Sequence, residues 1–249
     1  MNILALDFDG VLCDSVRETG VSAWRAGREI WPEWGTTDPP PEVLDAFVRM
    51  RPALETGFQA IPMMRLAADG VPPETVLADG VALFERVIRS HGLDKNRLVA
   101  LFGAARDAWI RNDPDGWLDA HDFFPGTIET FHAVMRTTQV YILTTKQERF
   151  VHRLLQGAGV DFDQARVYGL ERGVGKEQTL DMLATMHPEG VIHFVEDRLP
   201  TLHRIEAAPT LADIKLYYAD WGYGTQADLV EARASDRITV WSLQEFLKI

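Results

Sequence analysis

Ile3-Leu4-Ala5-Leu6-Asp7-Phe8-Asp9-Gly10-Val11 is the stretch that decides the fold: a short apolar run that breaks off into two acidic residues and a glycine. A continuous apolar run of this length predicts a strand buried on both faces, as in a parallel sheet, over residues 2 to 8. Strand side chains alternate, so Asp7 and Asp9 project to one side, while Gly10 permits a tight turn or the close approach of a ligand. Two carboxylates held so near each other repel. They are tolerated if one is protonated or if a hard cation lies between them, and oxygen-bound cations also serve phosphate chemistry. A strand ending in an ordinary Asp-Gly turn is the plainer explanation; what weighs against it is that the pattern recurs further along the chain.

The recurrence begins beyond residue 122. Val140-Tyr141-Ile142-Leu143 is followed by a helical pattern over Glu148 to Gln156 and a short apolar run around Val167-Tyr168. A second helical segment, about Lys176 to Met186, leads into Val191-Ile192-His193-Phe194-Val195, and Ile214 to Tyr218 and Ile238 to Trp241 come after it. Apolar runs separated by helices predict an α/β fold, a doubly wound, mainly parallel sheet that the opening strand joins. More than a hundred residues separate that opening strand from the next, too many for a loop in a compact domain. Segments near 15–30, 41–51, 53–69, 73–91 and 94–111 carry apolar residues at helical spacing, such as Val81, Phe84, Val87 and Ile88, and Pro-rich breaks at 38–41 and 71–73 divide them. The expected organisation is therefore an α/β core of 1–14 and 123–249 with an all-helical domain, 15–122, inserted after the first strand.

Composition narrows the function. The chain has 249 residues, 46% of them hydrophobic and 25% charged, which suits a globular protein that folds without staples. A formal net charge of -12 disfavours nucleic acid as a partner. The single cysteine, Cys13, cannot form an internal disulfide; no leader-like segment opens the chain and no run of about 18 apolar residues suggests a membrane span, so a cytoplasmic location is expected. Oligomeric state is left open by the sequence.

In open α/β sheets, ligands bind beyond the carboxyl ends of the strands. The residues that converge there are Asp7 and Asp9, Thr144 and Thr145, and Glu196 and Asp197. Thr144-Thr145 and Glu196-Asp197 would each also suit a helix N-cap. Lys176, after Gly173-Val174-Gly175, opens a helix and so faces the positive end of its macrodipole, a placement that a nearby anion would explain. In the insert, Arg49 and Arg51 flank Met50; residues two apart on a helix face different ways, and Arg51 is the candidate for an anionic substrate. The seven histidines show no metal-ligand spacing, and Trp24, Trp31 and Trp34 read as packing.

Taken in order, these segments resemble the haloacid dehalogenase superfamily of phosphohydrolases over the full length of the chain. Asp7-Phe8-Asp9-Gly10-Val11-Leu12-Cys13-Asp14-Ser15 resembles that family's first motif, Ile142-Leu143-Thr144-Thr145-Lys146 its second, Gly175-Lys176 its third, and Phe194-Val195-Glu196-Asp197 its fourth. The Leu-Thr-Thr-Lys stretch and Trp221-Gly222-Tyr223-Gly224 are similar to phosphoglycolate phosphatase-like members. The resemblance implies a Rossmann-like core with a helical cap and a magnesium-dependent phosphatase acting on a small phosphorylated metabolite. Asp7 would be the nucleophile, forming an aspartyl-phosphate, and Asp9 the general acid and base. Thr144 would bind the transferring phosphoryl group and Lys176 offset its charge, with Gly10, Thr145 and Arg51 on the substrate side. Mg2+ would be held by Asp7, the Asp9 backbone carbonyl and Asp197, with Glu196 direct or through water.

Two residues depart from the family pattern: Thr145 stands where asparagine is frequent and Arg198 where a small residue is frequent, which leaves substrate identity open. A phosphomutase of the same fold is the nearest rival, and a non-catalytic binding protein that kept the fold is the rival of a different class. A dehalogenase would not need Asp9 or the Glu196-Asp197 pair. A phosphonate-cleaving enzyme would need a reactive lysine in the insert, where only Lys95 is present, in the surface-turn setting Asp94-Lys95-Asn96.

Overall fold

The computed structural model describes residues 2–249 and resolves into two compact units. One runs to Asp14 and resumes at Asp122; the other is Ser15–His121.

Among the described residues the first unit has eight strands: β1 (Asn2–Leu6), β2 (Cys13–Asp14), β3 (Asp122–Phe123), β4 (Gln139–Leu143), β5 (Val167–Tyr168), β6 (Val191–Glu196), β7 (Lys215–Ala219) and β8 (Ile238–Trp241). Six of them form one sheet in the order β5-β4-β1-β6-β7-β8, and every pairing is parallel. This is the doubly wound α/β sheet that the apolar runs predict. The chain winds outward from β1 through β4 to β5, then crosses back to β6 and proceeds through β7 to β8. The reversal lies between β1 and β6, and in such sheets the crevice at the carboxyl ends beside the reversal takes the ligand. β1 is apolar without alternation because neither of its faces is exposed: Ile3, Leu4, Ala5 and Leu6 are all buried, while β4 and β6 pair with its two edges. Phe194 and Ile192 of β6 pack with Leu180, Leu183, Leu202, Ile205 and Leu216 in the core beside it.

The remaining strands, β2 and β3, make a two-residue antiparallel ribbon that the sequence does not announce. Cys13 pairs with Phe123 and Asp14 with Asp122, so the ribbon joins the points where the chain leaves and re-enters this unit. Leu12 O reinforces it, accepting from Phe124 N and Thr127 Oγ1, each at 3.0 Å. Asp122 thus lies with the sheet, one residue before the boundary read from the sequence. Cys13 is a buried free thiol.

Ser15–His121 contains helices and turns only: Val16–Gly27, Pro41–Met50, Ala60–Ala68, Pro73–Ser90, Lys95–Asn112 and Pro114–Asp119. The segment expected as a helix over 53–69 begins only at Ala60. Before it lie two turns: Arg51–Ala53, where Arg51 donates to Leu54 O, and Gly57–Gln59, where Gln59 Oε1 accepts from both Glu55 N and Thr56 N at 3.0 Å in place of helical bonding. Pro114–Asp119 is an additional helix. Asp113 caps it by accepting from Gly116 N, and Pro114 at its first position has no N–H to leave unsatisfied. Trp24 and Trp34 stack at 4.3 Å with Trp31 against Trp34 at 4.8 Å, a packing role as expected. Lys95 starts the helix that Asp94 caps. Among the described residues no helix is long and apolar enough to cross a membrane.

Candidate active site

Three strand ends and one helix start meet at the carboxyl edge of the sheet. Asp7 directly follows β1; its backbone N–H donates to Val195 O of β6 at 3.0 Å, and Phe8 N–H donates to its Oδ1 at 2.8 Å. Glu196 is the last residue of β6 and Asp197 the next, both buried. Lys176 is the first residue of the helix Lys176–Met186, and its Nζ lies 2.9 Å from Asp7 Oδ1 and 2.7 Å from Glu196 Oε2. These carboxylates are the anions that its unfavourable position on the helix dipole calls for.

Neither polar pair is an N-cap. The helix Glu148–Gly157 is capped at Gln147, three residues after Thr144, and the helix Leu199–Glu206 at Arg198. Thr144 is buried beyond the end of β4, its N–H bonded to Tyr168 O at 2.9 Å, and its Oγ1 accepts from Lys146 N at 3.1 Å. Thr145 sits between them. Asp9 points one carboxylate oxygen at Lys146, with Oδ1 to Nζ at 2.8 Å. Arg51 belongs to the helical unit, where its guanidinium donates to Leu54 O at 3.1 Å in the turn Arg51–Ala53.

Asp7, Glu196 and Asp197 each offer an oxygen within 4.8 Å of the others. Burial pushes the Asp7 carboxyl up to about 7 although Lys176 pulls it down, with the Glu196 and Asp9 charges adding to the rise. Burial likewise raises Glu196 against the pull of Lys176. Burial alone would lower the Lys176 ammonium, but Asp7 and Glu196 together hold it above its usual value. One ammonium is shared among too many buried carboxylates, and a cation would relieve the excess. The donor set is all oxygen, which suits a hard divalent ion.

The loop after β7, which carries the Trp221-Gly222-Tyr223-Gly224 stretch singled out in the sequence, completes the site. Tyr223 N–H donates to Asp197 Oδ2 at 2.8 Å, Tyr223 OH to Asp14 Oδ1 at 2.8 Å, and Trp221 Nε1 to Val11 O at 3.1 Å. The fit around Asp197 admits no side chain on two neighbours: a Cβ on Gly10 or on Gly222 would overlap it. Gly10 also has φ +95°, a left-handed conformation that disfavours any other residue.

No protein-family model matches the chain, and no curated protein does. Solved structures match along its whole length. A predicted phosphatase from Clostridium acetobutylicum aligns over 99% of this chain and 96% of its own, with TM-score 0.60 and 14% identity. A haloacid dehalogenase-like family hydrolase from Streptococcus pneumoniae aligns over 96% and 93%, with TM-score 0.54 and 16% identity. A predicted phosphoglycolate phosphatase from Haemophilus somnus aligns over 100% and 96%, with TM-score 0.58 and 12% identity. The chain therefore has the fold of the haloacid dehalogenase-like phosphatases and hydrolases.

Proposed function

We propose that this protein is a magnesium-dependent phosphatase that hydrolyses a small phosphorylated metabolite through an aspartyl-phosphate on Asp7. The observation that carries the reading is the meeting of Asp7, Lys176, Glu196 and Asp197 within ion-pair and ligand distance at the reversal point of the sheet. An Asp7 oxygen attacks phosphorus, the ester P–O bond breaks, and the leaving oxygen takes a proton from Asp9. Water then attacks the phosphoryl group, Asp9 removes its proton, and the electron pair of the acyl-phosphate P–O bond returns to Asp7. The Thr144 hydroxyl binds a phosphoryl oxygen, and Lys176 favours the ionised form of Asp7 and offsets phosphoryl charge. Mg2+ suits the Asp7 and Asp197 carboxylates and the Asp9 carbonyl, and would supply charge neutralisation for the phosphoryl group. Glu196, which receives Lys176 on one oxygen and Arg198 N–H on the other, would join the ion directly or through water. The helical unit is proposed as the cap that selects substrate, with Arg51 and Thr145 as candidate contacts. The buried single thiol accords with action in the cytoplasm.

The test is hydrolysis of 4-nitrophenyl phosphate and of a broad panel of phosphorylated metabolites, with magnesium and with chelator. Chelation is expected to lower turnover by on the order of 100-fold or more, with recovery when Mg2+ is returned. Absence of metal-dependent turnover across the panel would remove the reading in favour of a binding protein. Recovery of an isomerised sugar phosphate in place of inorganic phosphate would favour the phosphomutase.

Gly222→Ala gives a separate check on the ligand set. Its new Cβ has to displace Asp197, so calorimetric titration is expected to show divalent-ion affinity weakened by about 10- to 100-fold. Parent-like affinity would take Asp197 out of the set.

A further inference from the structure

Lys146 has no role in the reaction as drawn so far, yet it is among the most completely buried charges of the sheet unit. Its side chain is 1% exposed, and its Nζ lies 2.8 Å from Asp9 Oδ1 across 137 residues of sequence. Its backbone is fixed on both sides. The N–H donates to Thr144 Oγ1 at 3.1 Å and the carbonyl accepts from Leu170 N at 3.0 Å, while Gly169 packs too close to that carbonyl to carry a side chain. Burying an ammonium costs several kcal/mol unless it is well paired. The chain therefore commits a costly group, on a rigid support, to one carboxylate.

Resting on the phosphatase reading, we infer that Lys146 is a positioning residue for Asp9. The ammonium holds Oδ1, so the proton passed in each half-reaction travels on Oδ2, and the carboxyl group is kept from rotating away from the leaving oxygen. The same lysine ties two parts of the site together: its N–H orients the Thr144 hydroxyl on the phosphoryl side, and its Nζ orients the acid on the leaving-group side. Lys176 serves Asp7 and Glu196 and Lys146 serves Asp9, so each reacting carboxylate has its own ammonium.

A residue that acts through the general acid should matter in proportion to how much the leaving oxygen needs a proton. Lys146→Met and Lys146→Arg are to be compared with the parent on 2,4-dinitrophenyl, 4-nitrophenyl and phenyl phosphate. The quantity to read is kcat/KM, which covers the steps through departure of the leaving group. For Lys146→Met the expected loss is about 10- to 100-fold on phenyl phosphate and less than about 3-fold on the dinitrophenyl ester, with Lys146→Arg recovering part of the loss. Asp9→Asn should show the same gradient more steeply, and adding Lys146→Met to it should cost little more. A uniform loss across the three esters, or none, with circular dichroism and thermal unfolding like the parent's, would overturn the positioning role. A gradient in Lys146→Met that persists undiminished on the Asp9→Asn background would overturn it as well. A parent that turns over none of the esters removes the phosphatase reading and this role together, whereas an active parent with a uniform loss removes only this role.

Discussion

Replacing Asp7 with asparagine is expected to lower phosphate-ester hydrolysis by on the order of 10,000-fold or more while leaving the fold intact. The substitution keeps the size and the hydrogen bond from Phe8 N–H but removes the oxygen nucleophile, and loss of a nucleophile abolishes covalent catalysis outright. Glu196 still pairs with Lys176 in the variant, so no new unpaired charge is buried. Stability carries a second signature. Burial raises the Asp7 carboxyl from 3.8 to about 7 in the folded protein. Below about pH 4 both states are protonated and the group adds no pH dependence. Between about 4 and 7 the folded state keeps a proton that the unfolded state has released, so this group's contribution falls as pH rises and the cost is complete above 7. Asparagine abolishes that cost. In chelator, the melting temperature of Asp7→Asn relative to the parent should therefore rise from pH 4 to pH 8, ending at or above the parent's. Retained turnover would remove Asp7 as nucleophile, and a relative melting temperature that falls over this range would contradict the electrostatics of the cluster.

The second large effect belongs to the helical unit and concerns folding. Glu18 is fully buried and meets four residues: it accepts from Arg106 Nε at 2.8 Å and Nη2 at 2.6 Å, from Ser22 Oγ at 2.6 Å and from Trp117 Nε1 at 3.2 Å, and His121 Nε2 lies 3.5 Å away. Glu18→Ala strips the buried Arg106 guanidinium of this carboxylate, and breaking such a pair is expected to cost about 3–5 kcal/mol. Urea unfolding would read it directly. Substituting Arg106 as well should return part of the loss, because the two groups form one network. Burial alone would raise the Glu18 carboxyl, but Arg106 and His121 override it and hold it well below 4.5. Its folded pKa being depressed, the stabilisation is present above the unfolded value and is lost as pH falls below about 4.5. The gap between parent and Glu18→Ala should therefore narrow under acid conditions. A constant gap, or a loss under about 1 kcal/mol at pH 7, would show that the network contributes little.

Local pattern was enough for the sheet, its strand directions and the positions at which polar residues meet its edge. Ile3–Leu6 and Val140–Leu143 are continuous apolar runs, and Val191–Val195 nearly one, because the faces of these central strands are buried, and that burial is written into consecutive residues. Asp7, Glu196 and Lys176 could be read for the same reason, since each stands at an element boundary: Asp7 just after β1, Glu196 at the end of β6 and Lys176 at the start of its helix. Features without a period of their own stayed hidden. The ribbon of β2 and β3 has two residues on each side, too few to show alternation, and the turn Gly57–Gln59 depends on the side chain of Gln59 competing with helix formation.

Pairing was decided by tertiary structure alone. In sequence Lys146 is the tail of a Thr-Thr-Lys stretch and Arg106 one of many basic residues on amphipathic helices; nothing near either one names Asp9 or Glu18 as its partner. The pattern of side chains along a strand or helix tells which face is buried, because burial repeats with the local geometry. Which charge answers which depends on how distant elements are wound together, and only the folded chain brings two Lys ammonium groups, four carboxylates and the glycine-flanked loop after β7 to one edge of the sheet.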